Sequence, residues 1–181
     1  MSVIRKAKPG DSRGLAEVQV DSYRAAYAGL LPQPFLDQFT YDEQEQDWID
    51  LIQSASNEFV TVAVTADGRV VGYVLAKAEP DIFPGYDSEV VALHVRLSAR
   101  SNGIGKALLR AALRGLAERH CASVMLWTLQ GNPVRRWYER LQGAPLGEKR
   151  YRIDESEVVE IAFGWKSLSA LDRTLEAHGA G

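Results

Sequence analysis

Residues 100–105 read RSNGIG and lie between two runs of different periodicity. The preceding run, VVALHV at 90–95, suits a strand, and the following run, KALLRAALRGLAER at 106–119, repeats apolar residues at helical spacing. A glycine-rich turn between a strand and a helix leaves the first N–H groups of that helix without intrahelical partners. Together with the helix dipole they form an anion site, which a phosphate approaches closely where glycine has no Cβ. The stretch therefore predicts a phosphate-binding corner with backbone donors from 102–106.

The residues around this turn argue against two common nucleotide motifs. A dinucleotide fold requires G-x-G-x-x-G and an acidic residue after the next strand, but Leu108 takes the third glycine position and that strand ends in TLQ. The nucleoside-triphosphate loop requires G-x-x-x-x-G-K-[ST], whereas Arg100 stands at its first glycine and Ala107 follows Lys106. At this point the alternative that the two glycines serve only a tight turn stays open.

The composition is that of a single globular domain. The chain has 181 residues, a formal net charge of −3 and a pI near 5.7, which argues against nucleic acid as a partner because phosphate backbones attract clustered Lys and Arg. The single cysteine, Cys121, excludes an internal disulfide and fits a reducing compartment. No apolar run reaches the length of a signal peptide or a bilayer span, so we expect a cytoplasmic protein without a membrane partner.

The order of predicted elements indicates a mixed α+β domain at 1–166 and a C-terminal tail at 167–181. A short strand and several helices come first, and two strands joined at Asp67-Gly68 form a predicted hairpin. A loop, PDIFPGYD, precedes the strand SEVVALHV; after the glycine turn come a helix, the strand ASVMLWTLQ, a helix in GNPVRRWYERLQG and two last strands. For the tail, a short amphipathic helix and a frayed end both remain open.

With these motifs in place, the chain resembles the GCN5-related N-acetyltransferase (GNAT) family. Its signature [QR]-x-x-G-x-[GA] is matched by Arg100, Gly103 and Gly105. The segment EVVALHV looks like the fourth strand of the family, and NPVRRWYERLQG looks like its later N…A…FYE…G segment. The resemblance implies a mostly antiparallel, twisted sheet of about seven strands with about four helices, splayed between strands 4 and 5.

The resemblance also implies a cosubstrate, acetyl-CoA, with its pyrophosphate on the glycine turn and its pantetheine arm beside the fourth strand. Tyr138 matches a tyrosine that the family places near the thioester sulfur, although a purely structural role beside Trp137 stays open. The residues assigned to acetyl-CoA in this way are Leu93, His94, Val95, Arg100, Ser101, Asn102, Gly103, Ile104, Gly105, Lys106, Asn132 and Tyr138.

Acetyl transfer to an amine requires a base, because an alkylammonium with a pKa near ~10 must first lose a proton. Glu89 and His94 are the candidates, and a water chain or a residue of the early helices is the alternative. Strand alternation puts two residues five positions apart on opposite faces, and a bulge would bring them to one face. Tyr138 is the predicted proton donor to the departing thiolate, so the catalytic candidates are Tyr138, Glu89 and His94.

The acceptor is expected to be a small cationic amine, because carboxylates cluster in and after the predicted loop. The predicted acceptor-binding residues are Tyr23, Tyr27, Asp87 and Glu89. The alternatives are a protein or peptide N-acetyltransferase and a non-catalytic acyl-CoA sensor. The three histidines lack metal-ligand spacing, so no metal is predicted, and pairing of exposed sheet edges makes a homodimer a further expectation.

Overall fold

The computed structural model describes residues 2–177. The strands are β1 (Val3–Lys6), β2 (Glu58–Val64), β3 (Val70–Phe83), β4 (Tyr86–Val95), β5 (Val124–Leu129), β6 (Ala144–Ile153) and β7 (Ser156–Trp165). The α-helices are α1 (Ser12–Ala26), α2 (Gln33–Asp37), α3 (Tyr41–Gln53), α4 (Ile104–Ala117), α5 (Arg135–Arg140) and α6 (Leu168–Ala177). Two short 3-10 turns, Pro9–Asp11 and Leu97–Ala99, precede α1 and α4.

All seven strands form one sheet in the order β1-β2-β3-β4-β5-β7-β6. Every neighbouring pair is antiparallel except β4 and β5, which are parallel and meet in register at one pair, Glu89 and Met125. Beyond that pair the two strands diverge toward their carboxyl ends. The predicted mixed α+β fold, mostly antiparallel and splayed between strands 4 and 5, is confirmed. The part of the chain described has six α-helices, compared with about four predicted.

Helices cover both faces of the sheet. One apolar layer joins α4 and α6 to the sheet, with Leu108 and Leu116 fully buried. On the other face, α1 and α3 pack through Leu15, Val18 and Trp48 against strands β2 and β3. Apolar residues at helical spacing in α4 thus face the core, as their periodicity predicts. The glycine turn lies where α4 begins, beside the carboxyl end of β4.

The predicted hairpin at Asp67-Gly68 is confirmed. Gly68 has a φ of 87°, and its N–H donates to the carbonyl of Thr65. By contrast, the loop predicted at PDIFPGYD is wrong, since β3 and β4 continue to a tight turn at 84–85. Phe83 packs against Tyr86 and against Trp127 of β5. Packing of these rings favours the extended strands although Pro80 and Pro84 lie in this segment.

The C-terminal run folds as a helix over the described residues. Leu168, Leu171 and Leu175 of α6 are buried in the same core as α4. Arg110 of α4 also forms an ion pair with Asp172 of α6 at 2.6 Å. The domain boundary at residue 166 stays a prediction, and α6 packs directly on the domain that it follows. Across residues 2–177, no helix combines the length and the apolar character needed to span a bilayer.

Candidate active site

A β-bulge in β4 brings the two candidate bases to one face of the sheet. Leu75 and Ala76 of β3 pair with Ala92 and Val90, so Val91 is the extra residue. Tyr73 pairs with His94 and Lys77 with Glu89, and positions 73 and 77 share a face. The bulge that would bring Glu89 and His94 to one face is therefore present. Glu89 and His94 both face the α1 and α3 layer, about 13 Å apart along the strand.

A single groove of about 1320 Å³ runs from the glycine turn past the gap between β4 and β5 to the α1 and α2 side. It is large for a small-molecule site. Every residue predicted to bind acetyl-CoA lines it except Asn102, and among the predicted acceptor residues only Asp87 does not line it. The lining includes Tyr23, Tyr27, Glu89, His94, Gly105, Trp127, Tyr138, Lys149 and Glu160.

The turn before α4 lies beside the groove and contains two residues in the left-handed conformation. Ser101 and Gly103 have φ values of 62° and 70°, and Gly103 caps the helix that begins at Ile104. Alternating left-handed residues of this kind form anion-binding concavities. The N–H groups of Ile104 and Gly105 belong to the first helical turn, where helix geometry supplies no carbonyl partner.

Gly105 has no structural need to be glycine. Its backbone is helical, and a Cβ built there would meet only the Val95 Cγ2 atom, at the ordinary contact distance of 3.9 Å. Glycine within a helix costs roughly 0.5–1 kcal/mol relative to alanine. Since Gly105 lines the groove, the missing side chain leaves room for a bound group rather than for protein atoms. The residues present fit a phosphate at this corner.

Side chains at the turn brace the backbone. The Arg100 Nε donates to the carbonyl of Val95 at 3.2 Å, which ties the turn to the end of β4. The Asn102 amide donates to the carbonyls of Ala99 and Arg100, so this side chain folds back on the preceding 3-10 turn. Leu93, His94 and Val95 lie along the diverging edge of β4 and line the groove.

Asn132 and Tyr138 come from the segment after β5. The Asn132 Oδ1 accepts from the N–H of Val134, and the helix α5 begins at Arg135. Tyr138 is 6% exposed, and its ring contacts those of Trp137, Phe163 and Trp165 at 5.4, 6.0 and 6.3 Å. Burial raises the pKa of Tyr138 well above its usual value, so the hydroxyl is protonated at neutral pH.

The two candidate bases have different electrostatic environments. Burial raises the pKa of Glu89, while the positive charges of Lys149 and Lys77 oppose that rise. Burial and the positive charge of Arg100 lower the pKa of His94 to about 4. The imidazole is therefore neutral at physiological pH. A carboxylate with a raised pKa is the better tuned of the two for removing a proton near neutrality.

Aromatic rings from the early helices cover the far end of the groove. Tyr23 contacts Tyr27, Phe39 and His94 with ring centroids 5.1 to 5.3 Å apart. Phe35 packs against Phe39 with ring centroids 5.4 Å apart. Together, Tyr23, Tyr27, Phe35 and Phe39 form an aromatic wall of the groove. Burial raises the pKa of Tyr23 and of Tyr27.

An ion network fixes the α1 helix to the end of β4. The Arg96 guanidinium donates to Asp21 and Glu17 of α1 at 2.8 and 2.7 Å and to the carbonyl of Val70. Asp21 also accepts from the Tyr41 hydroxyl of α3. The network therefore holds the helix that carries the tyrosines of the groove.

Asp87, one of the predicted acceptor residues, does not line the groove and is hydrogen-bonded to the loop before β5. Its carboxylate accepts from the N–H groups of Ala122 and Ser123 and from the Ser123 hydroxyl at 2.7–2.9 Å. Burial alone would raise the pKa of Asp87, but these hydrogen bonds outweigh it and lower the pKa. Asp87 thus joins β4 to the loop before β5. Glu79, the carboxylate just before the predicted loop, forms an ion pair with Lys77 and does not line the groove.

Trp127, Lys149 and Glu160 are among the groove residues that sequence reasoning missed. One signal was available for Glu160, because it interrupts the apolar run VVEIAF in β7. A charged residue at an inward position of a strand is rarely buried without a partner or a function. Lys149 lies on β6, whose residues are mostly exposed, and its sequence gives no comparable signal.

The structure offers no cluster of three or more His, Cys, Asp or Glu side chains suited to a metal ion within residues 2–177. His178, one of the three histidines considered for metal binding, lies outside the described residues. Cys121 is partly buried, and its Sγ contacts the carbonyl of Asp87 at 3.6 Å. It does not line the groove.

The splay between β4 and β5 and the glycine turn beside it are the features expected of an acyl-CoA-dependent acyltransferase. The sequence profile of the Acetyltransferase (GNAT) family matches residues 20–144. An uncharacterized N-acetyltransferase, YuaI of Bacillus subtilis (strain 168), is 30% identical over 175 residues, which cover 97% of this chain and 99% of that protein. The chain belongs to the GNAT family and is an acyl-CoA-dependent acetyltransferase.

Solved structures agree with the fold. The PaiA N-acetyltransferase from Thermoplasma acidophilum, solved in complex with coenzyme A, matches with a TM-score of 0.66 and 21% identity, over 89% of this chain and 98% of that one. An N-acetyltransferase from Staphylococcus aureus Mu50 matches with a TM-score of 0.71 and 18% identity, over 93% of this chain and 99% of that one. At these identities the likeness establishes the shared fold.

Proposed function

We propose that this enzyme transfers the acetyl group of acetyl-CoA to the primary amine of a small, cationic acceptor in a ternary complex. The observation that carries the proposal is the continuous groove from the α4 turn, past the β4–β5 gap, to Glu89 and the aromatic wall. Donor and acceptor can meet in such a groove, so the amine attacks the thioester directly and no covalent enzyme intermediate is required.

In this proposal the pyrophosphate of acetyl-CoA binds at the amides of Ile104 and Gly105. The φ of Gly103 and the open space at Gly105 support that placement. The pantetheine arm follows the free edge of β4 at Leu93, His94 and Val95, where the splay leaves backbone groups without a neighbouring strand. The thioester then lies at the gap, close to Tyr138 and open to the acceptor side.

Glu89 is the proposed base that removes a proton from the acceptor ammonium, directly or through water. Its raised pKa and its position on the acceptor side of the sheet support this role. His94 is neutral and enclosed by tyrosine rings, which favours a positioning role over proton transfer. A water chain or a residue of the early helices remains the alternative base.

The remaining steps concern the tetrahedral intermediate and the leaving group. The N–H near Val95 is the proposed donor to the oxyanion, a kind of interaction whose loss typically costs ~3 kcal/mol of transition-state stabilisation. Tyr138 is the proposed proton donor to the thiolate of coenzyme A. The buried, protonated hydroxyl at the groove supports that assignment.

We place the reaction in the cytoplasm, since a single, partly buried cysteine fits a reducing compartment. A net charge of −3 favours a small cationic acceptor over nucleic acid. The long, exposed edge strand β6 is the proposed contact for a homodimer.

The proposal is tested by measuring release of free coenzyme A from acetyl-CoA with a library of primary amines. We expect turnover with cationic amines and weaker turnover with neutral or acidic ones. Tight binding of acetyl-CoA without turnover for any amine would instead identify a non-catalytic acyl-CoA sensor. Turnover confined to peptides would identify a peptide N-acetyltransferase.

A further inference from the structure

The acceptor end of the groove contains an ammonium group of the protein itself. The Lys149 Nζ on β6 contacts Glu160 Oε2 on β7 at 2.7 Å and lies 4.5 Å from the centroid of the Trp127 ring on β5. All three residues line the groove. A carboxylate and an aromatic face around one ammonium are the two groups that recognise alkylammonium ions.

These residues share the sheet face on which Glu89 lies. Glu160 pairs with Leu129, Trp127 pairs with Ala162, and positions 127 and 129 lie on one face of β5. Met125, two positions before Trp127, is the partner of Glu89 across the β4–β5 pair. The register therefore places Glu89 and Glu160 on one surface of the sheet, at different positions along the strand direction.

The two carboxylates are too far apart to hold one amine. Glu160 lies at the level of Leu129, and Glu89 lies at the level of Met125, a separation of about 13 Å along the strand. Their charges nevertheless interact, because both Glu160 and Lys149 affect the ionisation of Glu89. An acceptor whose reacting nitrogen lies at Glu89 can therefore extend a second positive group toward Glu160.

We propose that Glu160 and Trp127 form a subsite for a second ammonium group of the acceptor, and that Lys149 occupies this subsite until the acceptor displaces it. This assignment rests on the proposed amine acetylation and names the substrate class as diamines or longer polyamines. Lys149 is half exposed, with 47% of its side chain accessible, whereas Glu160 retains 20%. An exposed lysine in an ion pair of this kind is displaced at low cost.

The test measures binding to the enzyme–coenzyme A complex by titration calorimetry, with hexanediamine and hexylamine as probes. The two probes have the same chain length and differ by one ammonium group. We expect hexanediamine to bind about tenfold more tightly, and Glu160→Gln to abolish that preference. Lys149→Met keeps the apolar stem but removes the competing charge, so hexanediamine should bind about threefold more tightly.

The neighbouring ion pair on the same hairpin gives a matched control. Arg150 and Glu157 are 2.9 Å apart, more than half exposed and outside the lining of the groove. Arg150→Met and Glu157→Gln should leave both affinities unchanged. Retention of the diamine preference in Glu160→Gln, weaker diamine binding in Lys149→Met, or no diamine binding in any variant would overturn the subsite.

Release of coenzyme A from acetyl-CoA, measured in parallel, separates this inference from the proposed function. Diamine binding that depends on Glu160 without acetylation of any amine would refute the reaction and keep the subsite. Acetylation of mono- and diamines with equal affinity would keep the reaction and refute the subsite.

Discussion

Tyr73 of β3 lies directly opposite His94 of β4, with ring centroids 5.5 Å apart. Tyr23 packs against the same imidazole from α1 at 5.3 Å. Neither ring offers a charge that would stabilise an imidazolium, and the nearby Arg100 opposes one. This enclosure explains why the pKa of His94 falls to about 4.

The enclosure of His94 predicts a loss of stability in mild acid. The pKa of His94 is about 4 in the folded state and near 6.5 in the unfolded chain. Between these values the unfolded state binds the additional proton, so the free energy of unfolding falls as pH drops from about 6.5 toward 4, by at most about 3 kcal/mol. Denaturant unfolding at several pH values measures this slope.

His94→Gln should flatten that slope, whereas His120→Gln, at an exposed histidine after α4, should leave it unchanged. An unaltered slope in His94→Gln would show that another group titrates in this range.

Glu89→Gln should lower kcat by roughly 10²-fold or more, because an amide cannot accept the proton from the acceptor ammonium. Burial raises the pKa of Glu89, so this carboxylate is protonated at a higher pH than an ordinary glutamate. The activity of the native enzyme should therefore begin to fall at that higher pH as the solution is acidified. The variant should lack this acidic limb in the pH profile of kcat. Steady-state kinetics with saturating acetyl-CoA measure both quantities.

Glu58→Gln serves as the control for Glu89, since this carboxylate on β2 affects Glu89 only through its charge and does not line the groove. An equal loss of kcat in both variants would indicate a general electrostatic effect rather than a base at Glu89.

The sequence predicted the parts of the site that depend on backbone geometry. RSNGIG predicted the turn before α4 because a glycine-rich turn between a strand and a helix has a local signature. The change from strand to helix periodicity located β4 and α4. Strand parity indicated only that a bulge between Glu89 and His94 would bring both to one face. Its presence at Val91 is set by the register between β3 and β4.

Side-chain partners across the sheet could not be predicted in this way. Asp87 was assigned to the acceptor because it is a carboxylate near Glu89, yet it bonds to residues 35 and 36 positions away in the chain. Trp127 and Lys149 meet only because β6 follows β7 in the sheet order. Contacts between residues far apart in the chain produce no periodic pattern in a single sequence.

Gly105→Ala should separate folding from cosubstrate binding. The structure has room for the added methyl group and alanine favours the helix, so stability should be unchanged or rise by up to about 1 kcal/mol. The same methyl group would crowd a phosphate at the turn, so the Kd for acetyl-CoA should rise about tenfold or more. Thermal unfolding and titration calorimetry measure the two effects.

Gly10→Ala is the control for Gly105, because a Cβ at Gly10 meets no atom within 4 Å and Gly10 lies outside the groove. Unchanged acetyl-CoA affinity in Gly105→Ala would contradict a phosphate at this corner.

Tyr138→Phe should reduce kcat by about tenfold or more and leave the Kd for acetyl-CoA nearly unchanged, because the ring packing is kept and only the hydroxyl is lost. Tyr86→Phe, at a tyrosine 4% exposed and outside the groove, controls for removing a buried hydroxyl. A parallel loss of acetyl-CoA affinity in Tyr138→Phe would assign the hydroxyl to cosubstrate binding instead.

Asp87→Ala should destabilise the protein without affecting acceptor binding. The substitution removes the carboxylate that accepts from two backbone N–H groups and from the Ser123 hydroxyl. These hydrogen bonds join β4 to the loop before β5, so the free energy of unfolding should fall by about 1–3 kcal/mol. The KM for an amine should stay constant, since the carboxylate points to this loop and not into the groove. Asp81→Asn, at an exposed carboxylate of the same hairpin, should change neither quantity. A raised KM in Asp87→Ala, with stability unchanged, would return Asp87 to the acceptor site and require a different path for the amine.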